Sequence, residues 1–252
     1  MSLHGVITLF VKYCLLISTV VLLTVSTVRA DTVHLTSLSW PPYSDKDLKD
    51  MGASVAVAKA AFEAEGHTLV VDFFPWSRAV SQASQAGSKH VGYFPEYKYE
   101  SSDFVFSDPM GTGPLGLVQL KSKPVTFANV DDLNGKMIGV VQDYVNTPEL
   151  DARIASGEIK GQAAPSDDVN VKKVAAGRIE AAVIDANVLS YLLANDAGLK
   201  PLAAKVEMNA TLLAEKKLYI AFRNDAEGQK WQAIFNSGLK KIDVDAIMKS
   251  HL

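Results

Sequence analysis

The chain is almost without cysteine. Cys14 is the single one in 252 residues, so no disulfide can form within the chain, and everything after residue 14 lacks a thiol nucleophile or thiolate metal ligand. Histidine is scarce, and His34, His67, His90 and His251 all stand far from one another. The three- or four-residue spacing that puts two imidazoles on one metal is therefore missing. Basic excess is missing too: 25 Lys and Arg stand against 28 Asp and Glu, a net charge of −3. Such a chain has no electrostatic footprint for nucleic acid and no basic amphipathic helix for a membrane surface. No G-x-S-x-G elbow and no phosphate-binding P-loop occurs. Gly111-Thr112-Gly113-Pro114-Leu115-Gly116 satisfies G-x-G-x-x-G, but Pro114 interrupts it. A β-like Leu-Val-Gln-Leu run follows, where a dinucleotide site needs a helix. The bland reading is a glycine-loosened start to a crossing strand.

Long hydrophobic runs are absent with one short exception. Tyr13 to Val28 spans sixteen residues without a charge, fewer than the ~20 of a spanning helix. Lys12 precedes it and Val28-Arg29-Ala30 closes it, the layout of a cleaved secretory signal peptide. Cleavage after Ala30 leaves Asp31 to Leu252, and losing Lys12 and Arg29 moves the net charge from −3 to −5. Lys12-Tyr13 ahead of Cys14 are not the small residues of a lipidation site. An exported chain with no cysteine left fits a bacterial periplasm.

Beyond the leader, strand and helix signals alternate, which predicts an α/β protein. Thr32 to Leu38 reads as a strand broken by Trp40-Pro41-Pro42-Tyr43. An Ala-rich helix over Gly52 to Glu65 follows, then a strand around Leu69 to Phe74. Pro75 reads as the first residue of a helix that buries Trp76, Ala79, Val80 and Ala83 and ends at Gly87. His90 to Phe94 and Asp103 to Phe106 read as short strands. Gly113 to Leu120 leaves this first unit. In the second unit Lys136 to Gln142 reads as a strand. Thr147 and Ser166 read as helix caps, and Ala181 to Ile184 as a strand ending at Asp185. Leu218 to Phe222 returns to the first unit. A closing helix follows, with Trp231, Ile234, Phe235, Leu239 and Ile242 on one face. Two βα units joined by two crossings leave a cleft, and ligands of open α/β sheets sit beyond the carboxyl ends of strands. Trp40 to Tyr43, Pro75 to Arg78, Gln142 to Thr147 and Asp185 all lie there.

Four segments add up to a resemblance. They are Trp40-Pro41-Pro42-Tyr43, Phe106-Ser107-Asp108-Pro109, Asp132-Leu133-Asn134-Gly135-Lys136, and Gly177-Arg178-Ile179-Glu180-Ala181-Ala182 leading to Asp185. In that order the chain resembles the family 3 extracellular solute-binding proteins, the periplasmic receptors of polar amino acid uptake. Pro75-Trp76-Ser77-Arg78 looks like a divergent branch with a P-W-x-R turn. The resemblance implies a two-lobed periplasmic-binding-protein-like fold of type II, two α/β lobes joined by two crossing strands. Lobe one would be residues 31–117 plus 217–252, and lobe two 118–216. It implies no cofactor, no metal, a monomer, and a membrane ABC permease or a sensor as partner. The family's carboxylate-gripping Arg falls at Glu100, its upstream hydroxyl residues at Tyr93 and Pro95, and its anion-loop Gly-Thr at Asp143-Tyr144. The acidic receptor of the ligand α-amino group is retained as Asp185.

The expected ligand-binding residues are Trp40, Tyr43, Arg78, Tyr93, Asp143, Tyr144, Thr147 and Asp185. Asp185 receives an amine or caps the helix after it, and one carboxylate can do both. Arg78 falls in a first helical turn, where the macrodipole disfavours a cation. It either replaces the lost carboxylate contact or makes a surface salt bridge. Trp40 and Tyr43 offer faces for an ammonium or pack a proline turn. Tyr93 and Tyr144 face the cleft or lie wet on the surface, and Thr147 reads as a plain helix cap as much as a ligand contact. Trp76 and Trp231 read as core, Glu100 as solvated. The expected function is capture of a small polar, amine-bearing solute by lobe closure. Two alternatives stand beside it: a cyclohexadienyl dehydratase-like enzyme drawing on Glu96, Glu100 or Asp143, and a sensor or adaptor whose pocket holds no ligand.

Overall fold

The computed structural model describes residues 30–252, and the expected signal peptide lies outside the described residues apart from Ala30. β1 (Thr32–Ser37) lies between two parallel neighbours, β2 (Thr68–Phe73) and β3 (His90–Glu96). β4 (Phe104–Phe106) follows, then the long β5 (Gly111–Leu120). In the second half, β6 (Met137–Val141), β7 (Lys160–Ala164), β8 (Ala181–Asp185) and the short β9 (Val206–Met208) gather around β5. β10 (Ala214–Arg223) then runs back. Its first residues pair with β5, and its last residues pair with β3 and β4. The strand order is β2-β1-β3-β10-β5-β8-β6-β7, with β5 and β10 as the seam between the halves.

Seven helices flank the strands among the described residues: α1 (Ala53–Ala64), α2 (Trp76–Ser84), α3 (Pro148–Ser156), α4 (Asp167–Ala175), α5 (Ala186–Asn195), α6 (Ala226–Leu239) and α7 (Val244–Lys249). No described helix is long and apolar enough to cross a membrane. The Ala-rich face of α1 lets α6 pack closely, with Phe235 against Phe62 at 5.2 Å and against Phe222 at 6.1 Å between ring centroids.

Two local features set up the cleft. The turn after β1 closes on itself, with the Tyr43 amide donating to the Trp40 carbonyl at 3.0 Å. The start of α1 pins that turn from behind, as the amides of Ala53 and Ser54 donate to the carbonyls of Pro42 and Tyr43. Gly52 makes this possible: its φ is +99°, and a Cβ there would lie 2.7 Å from the Tyr43 carbonyl oxygen. On the other side, β8 is buried along its whole length and delivers Asp185 to the N-terminus of α5.

Several expectations shift on contact with the structure. Pro75 is the residue before α2, with extended backbone, and not its first helical residue. Ser166 stands at the N-cap of α4, but its hydroxyl bonds the Asp168 carboxylate and not a backbone amide. Ile242 lies beyond the end of α6. Gly111 to Gly116 is strand, so no helix receives a pyrophosphate there. β7 carries no β-branched residue, and with β9 and α7 it had no signal strong enough to read.

Candidate functional site

The two halves meet through side chains at the carboxyl ends of strands. Asp185 is 1 % exposed. It accepts the amides of Asn187 (2.8 Å) and Val188 (3.2 Å) through Oδ1, which makes it the N-cap of α5. The Tyr43 hydroxyl, arriving from the other half, donates to the same carboxylate at 3.1–3.2 Å and accepts the Asn187 side-chain amide at 2.8 Å. Gly113 on β5 leaves the room for this contact, because a Cβ there would run into Asp185 Oδ2 and lie 2.6 Å from the Tyr43 hydroxyl.

Three further contacts cross the gap. Trp40 Nε1 donates to Asp167 Oδ2 at 3.1 Å. Trp76 Nε1 donates to the Asp143 carbonyl at 3.1 Å, and the Ser77 hydroxyl to its carboxylate at 2.5 Å. Between them lies a cavity of about 30 Å³, walled by Trp40, Trp76, Tyr97, Tyr144 and Glu96. That is the volume of about one water molecule. A groove of about 450 Å³ adjoins it and shares Trp40 and Tyr144 as walls.

Aromatic rings line this region. Trp40 stacks on Tyr43 with centroids 4.6 Å apart and meets the edge of Tyr97 at 6.4 Å. Trp76 meets Tyr144 and Tyr93 edge-on, at 5.7 Å and 5.3 Å. Buried carboxyls stand among the rings. Burial pushes Asp185 up to about 6, against the pull of its two helix amides and the Tyr43 hydroxyl. Burial likewise pushes Asp167 up to about 7, opposed by the Trp40 indole and reinforced by Asp185. Glu96, accepting the Tyr97 amide and the Tyr93 hydroxyl, is pushed up to about 8 by burial. The opposing charge comes from Lys216 on β10. Its Nζ donates to the Asn146 carbonyl at 2.6 Å and lies 4.7 Å from the Tyr97 ring centroid, and burial lowers its pKa. Among the described residues no group of three or more His, Cys, Asp or Glu could hold a metal ion.

The structure brings Trp40, Tyr43, Tyr144 and Asp185 to one place. Asp143, with a φ of +63°, sits at the exposed rim of the same junction. Tyr93 is buried behind the wall formed by Trp76, hydrogen-bonded to Glu96 and Tyr99. Thr147 caps α3 by accepting the Leu150 amide. Arg78 is exposed, with its guanidinium 4.9 Å from the Phe74 ring centroid, away from the cavity walls. Trp76 is both core and cavity wall. Asp167, Tyr97 and Lys216 went unread. Asp167 follows a serine that looked like the helix cap, and Tyr97 and Lys216 gain meaning only when β3 and β10 pair.

Comparison with solved structures places the architecture. A histidine kinase sensor domain with similarity to periplasmic binding proteins superposes with a TM-score of 0.73 at 21 % identity, covering 89 % of this chain and 96 % of that one. The fold is the two-lobed periplasmic-binding-protein fold. An amino acid ABC transporter substrate-binding protein from Streptococcus pneumoniae, bound to L-arginine, shares that fold at 16 % identity and a TM-score of 0.68, with 87 % and 94 % of the chains covered. So does an ancestral arginine-binding protein bound to arginine, at 21 % identity and a TM-score of 0.68, with 87 % and 96 % covered. No protein-family model and no curated sequence matches the chain. In a periplasmic-binding-protein fold the Tyr43–Asp185 contact joins the two lobes, and the cavity lies in the interlobe cleft.

Two outcomes follow from this geometry. Gly113→Ala drives a methyl group into the Tyr43–Asp185 contact. It should cost about 1–3 kcal/mol, as overpacking does, and increase the radius of gyration in small-angle scattering. An unchanged radius and melting temperature would remove the contact from any role in closure. The second concerns pH. A carboxyl with a raised folded pKa holds its proton more tightly when folded. The stability it contributes is complete below its unfolded pKa of about 4. That contribution drains away as pH rises to about 7 for Asp167. The melting temperature of Asp167→Asn should therefore gain on wild type between pH 5 and 8, and a pH-independent difference would contradict the raised pKa.

Proposed function

We propose that the chain is a periplasmic solute-binding protein that takes a small, amine-bearing polar solute into the interlobe cleft and closes around it. The observation that carries this reading is Asp185. It is a carboxylate buried at the meeting of the lobes, held by two amides and a hydroxyl and without an ion pair among the described residues. A buried charge is costly unless paired. An ammonium is the group whose arrival satisfies it, and the surrounding indole and phenol faces suit a cation. Asp185 is all but closed off from solvent, so a solute reaches it only when the lobes part. Binding then favours closure by exchanging the Tyr43–Asp185 contact for contacts from the ligand to both lobes.

This reading assigns binding without turnover, and it has the closed protein present its solute to a membrane permease. The similarity to transporter substrate-binding proteins bound to amino acids supports it, as does the leader-like start of the chain. Removal of that leader predicts that the exported protein begins at Asp31. N-terminal sequencing that reads Met1 would refute the cleavage.

The main test is a thermal-shift screen of the mature protein against amino acids, amines and organic acids. A ligand at a hundred times its dissociation constant adds about 2.7 kcal/mol, which is roughly 5–10 °C for a domain of this size. Asp185→Asn should abolish the response to amines. In wild type the affinity should rise from pH 5 to pH 7.5 as Asp185 ionises through about 6. An undiminished shift in Asp185→Asn would remove the amine-receptor role.

A further inference from the structure

The cleft holds more uncompensated acid than one amine can satisfy. Asp167 is 7 % exposed and makes its side-chain hydrogen bond to Trp40. Like Asp185 it forms no ion pair among the described residues, and after burial the Asp185 charge helps to raise its pKa. Tyr97 is 6 % exposed, and its hydroxyl is buried with no hydrogen-bond partner among the described residues. Its ring lines the cavity. Asp185, Tyr43 and Asp167 are the neighbours that, after burial, push its proton affinity up. A buried phenol hydroxyl on the cavity wall with no partner marks a place built for a third party. Buried hydroxyls normally find a partner.

The cavity also has a continuation. Trp40 and Tyr144 are common walls to the cavity and to the adjoining groove of about 450 Å³, and Asp167 lines the groove. Asp45, Asp168 and Asp196 line it as well. Lys172 pairs with Asp168 at 2.7 Å, while Asp45 and Asp196 spend their oxygens on local backbone and serine groups. The groove is therefore acidic without the geometry to hold a metal ion. At the cavity, Lys216 is already engaged with the Asn146 carbonyl and the Tyr97 ring. Among the described residues no arginine lines the cavity or the groove, and Arg78 lies outside on Phe74.

We infer that the solute is a linear diammonium or polyammonium compound. One ammonium sits on Asp185, its methylene chain runs along Trp40, Tyr97 and Tyr144, and a second ammonium sits on Asp167 at the mouth of the groove. This inference rests on the amine reading of Asp185 and deepens it. It explains why the aromatic walls are shared between cavity and groove: a methylene chain needs apolar cover between two charged ends. It also gives the Tyr97 hydroxyl a role, as acceptor for an ammonium proton.

Calorimetry on the mature protein with putrescine and cadaverine, against butylamine and pentylamine, tests it. A second charge-assisted contact should make the diamines bind roughly tenfold to a hundredfold tighter than monoamines of equal length. Asp167→Asn, which keeps an acceptor for Trp40, should erase that advantage. Equal affinity for diamines and monoamines in wild type, with Asp185→Asn still abolishing both, would overturn the diammonium inference and leave the single-amine reading standing. A diamine preference undisturbed in Asp167→Asn would overturn the role given to that residue. Binding of no amine, or amine binding indifferent to Asp185→Asn, would overturn both readings together.

Discussion

A carboxylate buried between two lobes and met by a phenol from the opposite side is the contact around which the rest of the molecule is arranged. Asp185 is reached through β8, the innermost strand of its half, and is oriented by the first amides of α5. Tyr43 is reached through a turn that folds on itself and is braced by the start of α1. Both side chains are buried and bonded to each other. Electrostatics sharpen this. The helix amides favour the ionised carboxylate, burial opposes it, and burial wins, so the group stands poised near neutrality. On the proposed reading, this acid, which has no ion pair among the described residues, receives the ammonium of the solute.

The seam itself is built from the two strands that belong to both halves. β5 gives one stretch to β10 and another to β8, and β10 gives one stretch to β5 and another to β3 and β4. Gly113 sits on β5 just before the stretch that pairs with β8, at the point where the Tyr43 hydroxyl and the Asp185 carboxylate approach each other. A single missing side chain thus leaves room for this contact beside the crossing strands. The remaining interlobe bonds, from Trp40 to Asp167 and from Trp76 and Ser77 to Asp143, flank this point. Trp40 and Trp76 are also walls of the cavity of about 30 Å³.

Much of this was legible from the sequence because it depends on local rules. Alternating strand and helix signals, the proline turn at Trp40 to Tyr43, and Asp185 at the end of an apolar strand are all visible along the chain, and all three are present in the structure. Thr147 with Pro148 is a cap that the structure reproduces in full. What escaped notice depends on pairing between distant segments. Asp167 looked like the second residue of an ordinary helix start. Only the fold shows that the Trp40 indole, 127 residues away, meets it. Arg78 was a reasonable substitute for the missing carboxylate grip by position in its helix. Side-chain direction decided otherwise, since the Phe74 face draws it outward. β7 passed unread because an edge strand held by neighbours needs little intrinsic propensity.

The account's central claim is that Asp185 is a buried, unpaired acid awaiting an ammonium, and its carboxyl titration measures that directly. Carbon-13 NMR of the side-chain carboxyl, assigned by comparison with Asp185→Asn, should give a pKa of about 6 for the protein alone and a fall below 4 at saturating amine, as an ion pair requires. A pKa near the ordinary value of about 4 before ligand is added, or one that does not move when an amine binds, would contradict it.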